Sequence, residues 1–186
     1  MGFVVLLILI LIGVAVATWY IYTYNRFIRL DNDVEEAEAS IDVYLKKRHD
    51  LIPNLVNTVK GYAAHETAVF DAVNAARSEI AAARSPEERQ AGEEKLTGAL
   101  QGVLALAEAY PDLKSSANFL ELQGELSHIE SELASARRYY NANVKLFNTM
   151  LRTWPSSAIA RQRGWGKKPY WQADPEDRAN VDVSFR

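Results

Sequence analysis

The feature that most limits the fold of this 186-residue chain is a run without a single charge, "FVVLLILILIGVAVATWYI", Phe3 to Ile21. At about 1.5 Å per residue such a helix reaches roughly 28 Å, close to the hydrocarbon thickness of a bilayer. A transmembrane anchor over residues 1–24 is therefore expected. The competing reading is a secretory signal peptide, since Ala15-Val16-Ala17 suits a small-residue cleavage site. The run is longer than an ordinary signal core, and no Lys or Arg precedes it. Arg26 and Arg29 follow it at once, which by the positive-inside rule puts the remainder in the cytosol, with the periplasm as the alternative. The chain has no cysteine, so disulfides and thiolate metal sites are excluded, and its net charge of -3 gives no reason to expect nucleic acid.

Beyond the anchor the periodicity is helical. From Val34 the stripe steps through Ala37, Ile41, Leu45, Arg48, Ile52, Leu55, Val59 and Tyr62, three and four residues apart. It keeps phase through Pro53, which predicts one bent helix over about 26–63 rather than a break. A second helix carries Val69, Val73, Ala76 and Ile80. A third starts at Ser85-Pro86-Glu87-Glu88, a capping-box pattern, and carries Leu96, Leu100, Val103, Ala107 and Tyr110. Pro111 stops it, and a fourth is expected over about 117–153. The fold class expected is all-α: an N-terminal transmembrane helix, then an up-and-down four-helix bundle with long first and last helices over 25–155.

Antiparallel pairing of the long helices would return Trp154 to the depth of Arg26. Residues 156–186 then read as a basic and aromatic C-terminal tail, partly disordered. Arg161, Arg163, Lys167 and Lys168 alternate there with Trp165, Tyr170 and Trp171, a composition that suits an anionic headgroup surface. A lipid-facing surface is accordingly assigned to Arg26, Arg29, Trp154 and these seven residues. The alternative is that the aromatics cap the open end of the bundle. Gly13 and Ala17, four apart on the span, form a small-xxx-small face for self-association, and the alanine-rich second helix offers more small surface.

Arg48 sits on the apolar stripe, where an unpaired cation would be costly. Counting across the long pair sets it opposite Glu132, with Glu130 and Glu125 within a turn or so. Arg48 and Glu132 are therefore assigned to a polar layer fixing helix register, with a partner-recruiting surface pair as the alternative. His49, His65 and His128 lack the spacing of a helical zinc site, and no nucleophile, base and orienter set is visible. No catalytic residue, metal or cofactor is assigned.

Three stretches, "SIDVYLKKRHDLIPNLVNTVKGYAAHE", "KLTGALQGVLALAEAYPDLKSSANFLELQGEL" and "ARRYYNANVKLFN", follow the anchor in that order and together resemble the LemA family over about Phe27 to Trp171. Trp154 and Trp171 stand where that pattern more often has Phe. The resemblance implies a single-pass bacterial membrane protein with a four-helix bundle, and an organising or adaptor role without established catalytic residues. The function expected is a non-enzymatic scaffold or adaptor that self-associates and engages the lipid bilayer and another membrane protein. A small-ligand sensor, with its pocket near Arg48, His49 and Asn57, is the second hypothesis.

Overall fold

The computed structural model of the protein describes residues 1–171. Six helices follow in order: α1 (Gly2–Lys60), α2 (Thr67–Ala82), α3 (Pro86–Glu108), α4 (Pro111–Lys114), α5 (Ala117–Arg152) and α6 (Ser156–Arg163). No strand occurs among the described residues. The apolar run and the first amphipathic segment form one uninterrupted helix, α1, with Pro53 inside it. Its N-terminal part is long and apolar enough to cross a membrane, and none of that stretch is buried.

Two compact units divide the chain: Met1–Val43 with Leu133–Gln172, described to residue 171, and Tyr44–Glu132. In the first, Phe27, Leu30, Val34, Ala37 and Ile41 of α1 are buried, as are Leu133, Ala136, Tyr140, Val144 and Phe147 of α5. These spacings of three and four keep one face of each helix turned to the other. Phe27 meets Phe147, and Asn143 donates to the Asp33 carbonyl at 3.4 Å, so partner numbers fall along α5 as they rise along α1.

The second unit draws its core from all the helices it contains. Leu45, Ile52, Leu55 and Val59 of α1 are buried; so are Phe70 and Val73 of α2, Leu96, Leu100 and Val103 of α3, and Phe119, Leu122 and Leu126 of α5. The stripe keeps its phase on both sides of Pro53 because the packing on Ile52 and Leu55 outweighs the backbone bond that the ring forgoes. At the start of α3 Ser85 accepts from Glu88 N–H at 3.1 Å. The Glu88 carboxylate takes the Arg84 N–H at 2.7 Å, one residue earlier than in a reciprocal capping box. The segment after Pro111, expected as a plain stop, makes the single turn α4 and buries Leu113 completely.

Gly92 sets how closely α3 approaches α2. A Cβ there would lie 2.7 Å from Ile80 Cγ1 and 3.3 Å from the Ile80 backbone nitrogen, so a helix-interior glycine is kept for close approach. Gly92→Ala should destabilise by about 1–2 kcal/mol, overpacking outweighing the gain in helix propensity. Gly98→Ala, in the same helix with nothing within 4 Å of the new Cβ, should instead stabilise by up to about 1 kcal/mol. Denaturant midpoints of the two variants moving in the same direction would contradict this account.

The segment expected as a basic and aromatic tail begins with regular structure. Residues 156–163 form α6, closed by Gly164 at φ 70, a left-handed conformation that glycine adopts without penalty. Ser156 donates to the Met150 and Thr153 carbonyls at 2.8 and 2.7 Å, turning the chain at the end of α5. Ile159 and Ala160 are buried. The expected disorder beyond residue 171 lies outside the described residues.

Candidate functional site

The first unit gathers a collar of aromatic and basic side chains where the apolar run of α1 ends. Tyr20 stacks on Tyr24, Tyr24 on Trp165, and Trp165 packs on Phe27 with ring centroids 4.5 Å apart. Arg163 donates to the Tyr20 hydroxyl at 3.0 Å while its guanidinium lies 4.9 Å from the Tyr24 ring centre. Trp154 lines a cleft with Trp19, Tyr22, Thr23 and Arg26, so it stands at the level of Arg26. It is 79% exposed, unusual for so large an apolar ring.

Residues 165–171, without regular secondary structure, run back along α5, held by two asparagines. Asn148 donates to Lys168 O and accepts from Lys168 N–H, both at 2.9 Å. Asn141 does the same with Trp171, at 2.9 and 2.8 Å, and the Tyr140 hydroxyl donates to Pro169 O at 3.1 Å. The geometry explains why this works. Seven residues of helix cover about 10.5 Å, and three residues of extended chain cover about 10 Å, so the two amides fall in register with two backbone positions. Each primary amide uses one of its two N–H donors and its oxygen here, the pairing that a neighbouring strand would offer.

This packing divides the residues assigned to a lipid-facing surface. Trp165 and Trp171 are half-buried, and the Arg137 guanidinium lies 5.3 Å from the Trp171 ring centre. Lys168 pairs with Asp31 at 2.6 Å and lies over Phe147. These three pack onto the first unit, on the chain that the asparagine register pins. Arg163 is exposed but engaged by Tyr20 and Tyr24, whereas Arg26, Arg29, Trp154, Arg161, Lys167 and Tyr170 are exposed. Gly13 and Ala17 both lie on the exposed span, and nothing comes within 4 Å of a Cβ built at Gly13.

The second unit holds a buried polar cluster. Arg48 has no solvent exposure; it pairs through Nη2 with Glu93, through Nη1 with Glu130 at 2.9 Å, and donates from Nη1 to Thr97 Oγ1 at 3.1 Å. Thr97 in turn donates to Glu93 O at 3.0 Å, and His49 Nε2 lies 3.0 Å from Glu93 Oε1. The expected Arg48–Glu132 pair is corrected here. Glu132 accepts from the Tyr44 hydroxyl at 3.0 Å, one turn before Arg48, and the guanidinium turns instead to Glu130 and across to α3. Burial works against charge on both members of the central pair. For Arg48 the Glu130 and Glu93 carboxylates outweigh it and raise the pKa further. For Glu93 burial would raise the pKa, yet the His49 hydrogen bond and the Arg48 charge together hold it below the ordinary carboxylate value.

Glu93 escaped notice in the sequence although its signal was present. Leu96, Leu100, Val103 and Ala107 extended one step back in the same phase arrive at Glu93, as the α1 stripe arrives at Arg48. Beside this cluster is a surface cleft of about 550 Å³ lined by His49, Asn74, Arg77 and Ser78; Asn57 lines a smaller one of about 180 Å³ with Lys60 and Arg77. Among the described residues no three of His, Asp and Glu are placed to hold a metal ion.

The sequence profile of the LemA family matches residues 37–185. Magnetosome protein MamQ of Magnetospirillum gryphiswaldense is 25% identical over 188 residues, covering 87% of this chain and 69% of that protein. Magnetosome protein MamQ 2 of Paramagnetospirillum magneticum is 24% identical over 196 residues, covering 91% and 72%. Protein LemA of Metamycoplasma hominis is 26% identical over 169 residues, covering 89% and 76%.

Proposed function

The chain belongs to the LemA family, and from that premise we propose that it is a non-enzymatic scaffold or adaptor anchored in the bacterial cytoplasmic membrane. The observation that carries this reading is α1 itself: an uncharged, wholly unburied span continues without interruption into an amphipathic helix. An exposed apolar helix of that length needs lipid around it. The collar at its end, with Trp154, Arg26, Arg29, Arg161, Lys167 and Tyr170 exposed, has the composition of a membrane-water interface. In this reading α1, α2, α3 and α5 make an up-and-down four-helix bundle that presents helical surface to partners. The open face at Gly13 and Ala17 allows a second copy to approach within the bilayer. Relatives named as magnetosome proteins fit a role in organising membrane-bound assemblies.

The test is membrane fractionation followed by crosslinking in intact cells. The chain should sediment with membranes and resist carbonate extraction, and crosslinking should trap it with itself and with another membrane protein. Recovery of monomer alone would overturn the scaffold reading. Because the chain contains no cysteine, Ser115→Cys gives a single exposed reporter for sidedness. The basic residues after the span favour a cytosolic bundle, protected from an impermeant thiol reagent. Labelling in intact cells with a permeabilised outer membrane would place it in the periplasm.

The small-ligand sensor is kept as a second reading on one observation, the polar cleft at His49, Asn74, Arg77 and Ser78 beside the buried cluster. A ligand there should raise the unfolding temperature in a thermal-shift screen.

A further inference from the structure

Where α5 ends, the first unit has a cleft of about 740 Å³ lined by Thr149, Arg152, Thr153, Lys167 and Tyr170. We infer that this cleft is a binding site for the headgroup of one anionic phospholipid whose headgroup carries free hydroxyls, as in phosphatidylglycerol. The proposal rests on the membrane-surface reading above and makes it specific to one site and one lipid class.

Three observations carry it. The first is depth. Thr149 and Thr153 also line the neighbouring cleft that contains Trp19, Tyr22 and Arg26, so the site lies where the apolar run gives way to polar chain. The second is charge. Arg152 and Lys167 are exposed, and neither has an ion pair or side-chain hydrogen bond among the described residues, whereas nearby Lys168 and Arg163 are engaged by Asp31 and Tyr20. Arg152 of α5 meets Lys167 and the Tyr170 hydroxyl of the asparagine-pinned chain at this one cleft, a set that suits a phosphodiester.

The third is the state of the hydroxyls. Thr149 donates to Lys145 O at 2.7 Å and Thr153 to Thr149 O at 2.8 Å, so their protons are committed to the helix and their oxygens can only accept. Acceptors cannot serve a phosphate, but they can take the hydroxyl protons of a glycerol headgroup. The Ser156 and Thr153 hydroxyls cap the Met150, Thr153 and Thr149 carbonyls, which quenches the negative end of α5 beside the anion. Cations for the phosphate and acceptors for the headgroup hydroxyls therefore occupy one space.

Native mass spectrometry of the full chain, released from nanodiscs holding equal parts phosphatidylglycerol, phosphatidic acid and phosphatidylethanolamine, tests this. Phosphatidylglycerol should be retained over the other two, and Arg152→Gln with Lys167→Gln should lower its retention roughly tenfold. Lys60→Gln with Arg84→Gln removes the same charge at exposed positions of the second unit, outside the cleft and the collar, and should change retention less than twofold. All four side chains are exposed, so circular dichroism should be unaltered. Equal losses in the two double variants would mean diffuse attraction and overturn the cleft while leaving the membrane-surface reading intact. Equal retention of phosphatidic acid would overturn the role of the threonine acceptors. Displacement of the lipid by millimolar inorganic phosphate or glycerol 3-phosphate would reassign the site to a soluble phosphate. Retention of no lipid at all would bring down the membrane-surface reading itself.

Discussion

Glu93→Gln should destabilise the protein by about 3 kcal/mol, the low end of the cost of breaking a buried ion pair. The low end applies because Arg48 would keep Glu130, whose side chain is 35% exposed and so only partly desolvated. Arg48→Met should cost more, towards about 5 kcal/mol, because it leaves Glu93 buried with His49 as its neighbour and takes the partner of Glu130. Combining Arg48→Met with Glu93→Leu should restore most of the loss, since two apolar groups of similar volume need no partner. That recovery separates a structural register from a site the protein needs for binding: a register restored by apolar packing leaves crosslinked assemblies intact. The pH dependence follows from the lowered pKa of Glu93. An unfolded glutamate titrates near about 4.3, so the contribution is complete above that value and is lost as the pH falls through the lower folded value. Acid unfolding of the detergent-solubilised chain, followed by circular dichroism, should show this limb, and Glu93→Gln should flatten it. An acid limb unchanged in Glu93→Gln would show that other carboxylates set it.

The same residues show what could be read without coordinates. A stripe of three-four spacing gave α1 its phase through Pro53 because helical burial is a local, periodic property, and Ser85-Pro86 marked the start of α3 because capping is decided within one turn. Arg48 stood out for the same reason: it broke its own stripe. Its partners were legible only in part: the count along the long pair brought Glu130 within a turn, whereas Glu93 lies on α3, whose placement beside α1 no count along the long pair reaches. Counting along the long pair placed Glu132 opposite, a count that fails within one turn when a third helix supplies a better carboxylate. The chain after α5 is dominated by bases and aromatics, so from sequence it suggests a membrane-facing, partly disordered tail or a cap on the open end of the bundle. Its real determinant is the interval between Asn141 and Asn148, two polar residues that an apolar reading passes over. The closing signal of α6, a glycine after a basic last turn, was also in the sequence, but an eight-residue helix without its own apolar stripe leaves little periodicity to detect.

Phe27→Ala should have the largest local effect in the first unit, about 3–5 kcal/mol, because the ring is wholly buried and contacts from two elements converge on it. On one side it meets Phe147 edge-on, with centroids 5.8 Å apart; on another it carries Trp165. Truncation would open a cavity that neither α1 nor α5 can close, since both are pinned by Leu30 and Val144 on neighbouring turns. Trp165 would lose its apolar floor, keeping only Tyr24 against its face. The asparagine pairs hold residues 168 and 171 independently of that floor, and each two-bond pair is worth on the order of 1–3 kcal/mol. The expected result is therefore graded: a red shift and increased quenching of Trp165 fluorescence in Phe27→Ala, with the extended chain still attached. Adding Asn148→Ala to Phe27→Ala should release it, seen as new tryptic cleavage after Arg161, Arg163 and Lys167. The four tryptophans of the chain make a Trp165→Phe control necessary to assign the signal. If Phe27→Ala alone exposed those bonds to trypsin, the aromatic contact rather than the asparagine register would hold the basic segment in place, and the cleft that Lys167 and Tyr170 complete would depend on Phe27.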